Sequence, residues 1–189
     1  VQRYTAIVAD SMNMMNNALE KRLGDLSLYA QSISAESRVA DLLRYNSETR
    51  DYLIIESLNQ KVLPSLAHFA AVSADVAQAV LLHKNAAIPD VYYKVYCDEV
   101  AVERIDADIR SGACRRYGEQ NLYYSPVHPL RRYHNSRYAD ANGPAQVISF
   151  YYPVYSLFHD AVLGVLAFDL DLRRLFSGML PLLTVEGSA

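Results

Sequence analysis

The chain has 189 residues, of which 51% are hydrophobic and 21% are charged, and it contains seven glycines and seven prolines. This composition excludes disordered and fibrous proteins and predicts one globular unit with its own core. The formal net charge of -3 provides no overall positive field, so nucleic acid is not expected as a partner. No apolar run reaches the roughly 20 residues of a membrane-spanning helix.

The first third of the chain has the pattern of helices. Apolar residues recur every three or four positions from Tyr4 to Ile33 and predict one long helix. Ser34 suits the N-cap of a short second helix, and the Asn-Ser pair at 46–47 marks a break before a third. Pro64 lies in the later part of that third helix, where it predicts a kink or an end.

The rest of the chain has the pattern of strands. Runs rich in Val, Ile, Leu and Tyr predict strands over residues 76–83, 91–97, 145–155 and 162–170. A helix that Asp98 would cap and Gly112 would end separates the second run from the third. The last two runs are so close in sequence that they should pair antiparallel. Helices followed by a sheet predict an α+β fold.

A search for catalytic motifs finds none. The five histidines are irregularly spaced, and no HExxH, GxSxG, GxGxxG or phosphate-binding glycine loop is present. We therefore expect no catalytic residue, metal or cofactor, and a domain that is not itself an enzyme. Cys97 and Cys114 are too few for a disulfide framework, and the sequence is equally consistent with one disulfide and with two free thiols.

Two features suggest a binding site without deciding it. The chain has 15 tyrosines and no tryptophan, and residues such as Tyr124 and Tyr151 suit either the lining of a small polar cavity or a half-exposed sheet surface. The basic residues at 115–116, 131–132 and 137 fit either a solvated loop or an anion-binding rim. Several of these residues lie in a long segment, 121–143, that we expect to be a loop.

Asp169 and Asp171 alternate with Phe168 and Leu170 near the end of the last predicted strand. Residues two apart in a strand point to the same face. Three interpretations remain open at this stage. In the first both aspartates face solvent, in the second one of them serves a pocket, and in the third the two carboxylates act as an acid and a base.

The C-terminal part of the chain resembles a known family. Residues 146–155, QVISFYYPVY, and 163–172, LGVLAFDLDL, are similar to the closing hairpin of Cache domains, which are PAS-like extracytoplasmic sensors. Pro153 suits a position that needs no ladder donor, and Gly164 permits a bulge or a close backbone approach. Residues 172–183 fit the exit helix of that family.

The resemblance implies a fold and a site. The fold is a single Cache-type domain over residues 1–189, with a helical part at 1–70, a central antiparallel PAS-like sheet with a long loop at 71–172, and an exit helix at 173–189. In ligand-binding members an Arg-x-aromatic motif and a later aspartate contact the ligand. Arg131, Tyr133 and Asp169 match these positions, and we add Tyr124 and Tyr151 as lining residues.

The resemblance also implies a function. We expect an extracytoplasmic ligand-sensing domain on the periplasmic side of a bacterial inner membrane, excised from a protein whose transmembrane segments flank it. The output would be a diguanylate cyclase or phosphodiesterase, a histidine kinase or a chemoreceptor. The long helix either packs on the sheet or serves as a stalk in a homodimer. The alternative is a periplasmic protein-interaction module whose tyrosine-rich surface binds a partner and which has no small-molecule ligand.

Overall fold

The computed structural model describes residues 2–44, 52–72, 74–84, 91–93, 102–119, 121–130, 146–156 and 161–179. Five helices and seven strands occupy these ranges. The helices are α1 (Gln2–Ser34), α2 (Ser37–Arg44), α3 (Tyr52–Val72), α4 (Val102–Ser111) and α5 (Leu172–Met179). The strands are β1 (Val76–His83), β2 (Val91–Tyr93), β3 (Arg115–Arg116), β4 (Tyr123–Tyr124), β5 (His128–Pro129), β6 (Gln146–Tyr155) and β7 (Val162–Asp171). The predicted α+β class is confirmed.

All seven strands form one antiparallel sheet. Its order is β2-β1-β7-β6-β4-β3, and β5 pairs with β6 beside this path. The long strands β6 and β7 form a hairpin at the centre, as their short connection predicts. The last two described strands of the chain therefore lie in the middle of the sheet.

Different helices cover the two faces of the sheet. Helices α1, α2 and α3 pack on one face, whose core includes Leu26, Leu42, Leu66, Leu81 and Phe168, all fully buried. Helix α4 covers part of the other face, where it forms a smaller hydrophobic cluster with β1 and β7. Its buried members are Val80, Leu82, Val102, Ile105, Val165 and Ala167. The side chains of β1 and β7 alternate between these two clusters, so both strands are buried on both sides.

The apolar stripe of α1 changes its environment along the helix. At the C-terminal half, Leu26, Ala30 and Ile33 are buried in the helix-facing core. At the N-terminal half, Val8 and Met12 lie on the same stripe but are exposed. The 33 residues of α1 span about 50 Å. Only the second half of the helix is thus explained by packing within the described part of the chain.

Two details of the sequence-based prediction are wrong, and the helix end predicted at Pro64 as an alternative to a kink does not occur. Ser34 does not cap α2: it is the last residue of α1, and the first amides of α2, at Val39 and Ala40, donate to the Glu36 carbonyl. Pro64 does not end α3, which continues to Val72. The segment from 121 is not simply a loop, because β4 and β5 form within it against the edge of β6.

Two other predictions hold. Helix α4 ends at Ser111, and Gly112 follows with a φ of 78°, a conformation that glycine adopts without strain. Gly164 is a point of close approach: a Cβ there would lie 2.6 Å from the Leu82 carbonyl oxygen and 2.8 Å from Leu43 Cδ2. The ladder between β6 and β7 shifts register beside it, after Val154.

Candidate functional site

A small cavity lies on the α4-facing side of the sheet. Its volume is about 30 Å³, enough to hold an ordered water molecule. Its apolar walls come from β1, α4 and β7 through Val80, Leu82, Ile105 and Ala167. Its polar lining consists of Gln78, His128, Ser149, Tyr151 and Asp169.

The side chain at the centre of this polar lining is Asp169, which is only 6% exposed. One carboxylate oxygen, Oδ2, accepts a hydrogen bond from the Gln78 amide on β1. The other, Oδ1, accepts one from the Ser149 hydroxyl on β6. Both neighbours lie directly opposite Asp169 in the sheet, so three adjacent strands hold this carboxylate. These hydrogen bonds offset the cost of burying a carboxylate.

A β-bulge brings Gln78 to the cavity. Val76 pairs with Leu170 and Gln78 pairs with Asp169, so β1 contains one extra residue at this point. In a regular strand Val76 and Gln78, which are two residues apart, would point to the same face. The bulge places them on opposite faces, so Val76 packs in the helix-facing core while Gln78 lines the cavity on the other side.

His128 extends the polar cluster from β5. Its Nε2 lies 2.7 Å from the Ser149 hydroxyl oxygen, and its Nδ1 lies 2.9 Å from the Pro129 carbonyl oxygen. The carbonyl can only accept, and the single hydroxyl proton of Ser149 is donated to Asp169. His128 thus connects the short strand β5 to Ser149 and, through Ser149, to Asp169.

Ser125 holds β6 in place beside this cluster. Its amide donates to the Ser149 carbonyl at 2.9 Å, and its hydroxyl accepts from the Ser149 amide at 3.1 Å. The same hydroxyl donates to the Pro126 carbonyl. Ser149 is therefore fixed through its backbone as well as through its side chain.

Three of the five residues that the sequence suggested lie in the described part of the chain. Asp169 and Tyr151 line the cavity. Tyr124 lies elsewhere: its ring packs against Phe150, with centroids 6.0 Å apart, in contact with the helix-facing core. Arg131 and Tyr133 lie outside the described residues. Gln78, Ser149 and His128 were missed, because each is an isolated polar residue whose meaning depends on cross-strand register.

The solvent-facing interpretation of the aspartates is wrong, since Asp171 is also buried, with 8% exposed. Its carboxylate accepts hydrogen bonds from the amides of Arg173 and Arg174, at 2.9 and 3.2 Å. Asp171 is thus the N-cap of α5. The two carboxylates serve different roles, one at the cavity and the other at a helix terminus.

The described ranges of the chain contain no group of His, Cys, Asp and Glu side chains arranged to hold a metal ion. Over the same ranges, no helix is both long and apolar enough to cross a membrane.

No protein family model matches the chain, and no curated protein matches it. Solved structures do. The chain is similar to a domain of a sensory box/GGDEF family protein from Vibrio parahaemolyticus, with a TM-score of 0.59 and 14% identity. It is equally similar, with a TM-score of 0.59 and 13% identity, to the extracellular domain of the histidine kinase vpHK1S-Z8. These matches cover 94% of this chain and 62% and 59% of the other chains.

A third similar structure is the ligand-binding domain of the Campylobacter jejuni chemoreceptor Tlp3 in complex with 4-methylisoleucine. Its TM-score is 0.52 and its identity 12%, over 93% of this chain and 62% of that one. The chain has the fold of these sensory domains. The resemblance to Cache sensors is thereby confirmed at the level of the fold. The chain spans about three fifths of the length of these structures.

Proposed function

We propose that the chain is the extracytoplasmic ligand-sensing domain of a membrane-bound signalling protein, and that it binds a small molecule at Asp169. The observation that carries this proposal is the buried carboxylate, which three strands position in the lining of a small cavity that also has apolar walls. A carboxylate is a costly group to bury for packing alone. A site of this kind is typical of ligand pockets, which combine apolar walls with a few convergent polar groups.

The chemistry of the lining favours a ligand with an ammonium or another cationic donor group. Asp169 offers acceptors to such a group, and the apolar walls suit a short hydrocarbon portion. Arg131 and Tyr133 remain proposed ligand contacts by their resemblance to Cache motifs, and Tyr124 and Tyr151 remain proposed lining residues. The cavity is smaller than an amino acid, so a ligand of that size requires the pocket to open.

We place this domain on the periplasmic side of the inner membrane as one unit covering residues 1–189. Transmembrane segments outside the fragment would flank it, and α1 would pair in a homodimer. Exposed Val8 and Met12 on the stripe of α1 support such pairing. The output would be a diguanylate cyclase or phosphodiesterase, a histidine kinase or a chemoreceptor, and the sensing domain itself would bind without catalysing.

A second candidate function is a periplasmic protein-interaction module without a small-molecule ligand. The observation that favours it is the small cavity volume of about 30 Å³, well below the roughly 300 Å³ or more of usual ligand pockets. A ligand-sensing domain and a protein-interaction module are expected to give different results in the thermal-shift screen described below.

The test is a thermal-shift screen of the domain against amino acids, primary amines, short carboxylates and purines. A ligand that binds only the folded state, at 100 times its Kd, stabilises by about 2.7 kcal/mol. For a domain of this size that corresponds to a rise in Tm of roughly 5 to 10 °C. We expect a saturable shift from a compound with a cationic group, and we expect Asp169→Asn to abolish it.

The matched control is Asp41→Asn, which removes an exposed carboxylate on α2 and should leave the ligand shift unchanged. Arg131→Ala tests the residue that the Cache resemblance adds to the site. If no compound shifts the Tm, the protein-interaction function is favoured. A shift that survives Asp169→Asn places the ligand elsewhere and contradicts the proposed site.

A further inference from the structure

The turn before β1 is bound to the first helix of the fold. Asp75, which is 8% exposed, accepts two hydrogen bonds from the guanidinium of Arg22 on α1. The Arg22 Nε to Asp75 Oδ2 distance is 3.0 Å, and Nη2 bonds to Oδ1. This two-point contact fixes orientation as well as distance, because both groups are planar.

The same turn is bound to the last described helix. The Asp75 carbonyl accepts from the Asp171 amide at 2.9 Å, and Asp171 is the residue that caps α5. Arg174 of α5 donates to the Ala74 carbonyl at 3.3 Å, and its Nε lies 3.5 Å from Asp171 Oδ2. Residues 74–75 thus contact α1 through the Asp75 side chain, the cap residue of α5 through the Asp75 carbonyl, and α5 itself through the Ala74 carbonyl.

This turn is also close in sequence to the cavity. Gln78 is three residues after Asp75 on β1, and its partner Asp169 is two residues before Asp171 on β7. Between the cavity pair and the turn there is one irregular step, the bulge that separates Val76 from Gln78. Only a few residues of β1 therefore connect the turn to Gln78, and only a few residues of β7 connect Asp169 to Asp171. A displacement of Asp169 can be transmitted to the turn along either strand.

We propose that residues 74–75, together with Arg22 and Asp171, form a junction that couples the positions of α1 and α5 to each other and to the state of the cavity. The cavity part of this inference rests on the proposed function. The coupling between the helices does not require a ligand. If α1 moves away from Asp75, the turn loses its cationic partner, and the carbonyl that holds the Asp171 amide moves with it. The cap of α5 then weakens although Arg22 itself lies on another helix.

The test is hydrogen exchange of the domain without ligand, read by mass spectrometry for peptides covering α5 and the end of β7. In Arg22→Gln we expect the α5 amides that Asp171 caps, those of Arg173 and Arg174, to exchange roughly fivefold faster or more than in the wild type. Arg22→Lys keeps the charge but not the two-point contact, so it should give a smaller increase and also serves if Arg22→Gln does not fold.

The matched control is Arg38→Gln, which removes a different partly exposed arginine, one that pairs with Glu36 and donates to the Lys61 carbonyl. It should leave exchange in α5 unchanged. Faster exchange in α5 for Arg22→Gln but not for Arg38→Gln supports the junction. Acceleration confined to α1 and the turn, or an increase no larger in α5 than in β6, overturns it. Neither result depends on a ligand, so failure here is distinct from failure of the proposed function.

Discussion

Asp169 is stabilised by hydrogen-bond donors from its two neighbouring strands. Gln78 and Ser149 each occupy one of its oxygens, and His128 supports Ser149 from the edge of the sheet. A carboxylate oxygen accepts more than one hydrogen bond. In the proposed function, the cationic donor group of the ligand bonds to this same carboxylate.

Cys114 allows a prediction about alkaline stability. It is a free thiol with 6% of its surface exposed, and burial, with a smaller contribution from Asp108, raises its pKa above the ordinary value of 9.0. As the pH rises through 9.0, the unfolded chain loses this proton before the folded protein does. The free energy of unfolding should therefore be unaffected by this group below pH 9 and should fall above it.

The measurement is Tm against pH from 7 to 10.5 for the wild type and for Cys114→Ala. The variant should lose less stability between pH 9 and 10.5 than the wild type does. Burial also raises the pKa values of Tyr117 and Tyr155 above 10.0, so both proteins should continue to lose stability beyond that pH. Parallel curves for the two proteins would contradict the role assigned to the Cys114 thiol.

At the residue scale, the sequence identifies Asp169 as a candidate site residue but does not predict which side chains surround it. The alternation around Asp169 is visible, and the Cache resemblance singles it out. The alternation alone does not tell whether the second face of β7 is covered. Gln78 could not be found, because only the bulge in β1 turns it to the cavity, and a bulge depends on the pairing of two distant strands.

At the scale of elements, the close approach of β1, β7 and α2 depends on Gly164. A Cβ at this position would meet the Leu82 carbonyl oxygen at 2.6 Å, and backbone cannot move aside as a flexible side chain can. Gly164→Ala should therefore destabilise the domain by about 1 to 3 kcal/mol, the usual cost of overpacking. Urea unfolding followed by circular dichroism measures this free energy.

Gly24→Ala is the matched control. Gly24 lies within α1, and a Cβ there would have no heavy atom within 4 Å. Alanine favours a helix over glycine, so this variant should stabilise the domain by about 0.5 to 1 kcal/mol. Opposite signs for the two glycine variants are expected. A loss at Gly24 equal to that at Gly164 would mean that the close approach is not the cause.

The long elements were predictable because their patterns are local. The spacing of apolar residues predicts α1, and the β-branched runs predict β1, β6 and β7 nearly to their observed ends. The short strands β3, β4 and β5 contain two residues each and exist only by pairing with neighbours, so no local pattern marks them. Pro64 failed as a helix end because packing of α3 on the sheet outweighs one lost hydrogen bond.

At the scale of the whole molecule, the order of strands explains how the site and both terminal helices come together. The hairpin of β6 and β7 lies at the centre, and β7 ends directly at α5. Strand β1 follows α3 and pairs with β7 along nearly its whole length. Asp169 and its two partners therefore lie at the end of the sheet where α5 begins and where Arg22 of α1 contacts the turn at Asp75.

The most direct test of ligand binding at this site is chemical-shift mapping of amide resonances while methylamine, ethylamine, acetate and propionate are added separately. These probes are among the smallest amines and carboxylates, so they require little enlargement of the observed cavity. We predict saturable shifts with the amines, largest at the amides of Gln78, Ser149 and Asp169, and none of comparable size with the carboxylates. Shifts absent from these three residues, or centred on exposed Val127 and Phe176, would contradict a ligand site at Asp169.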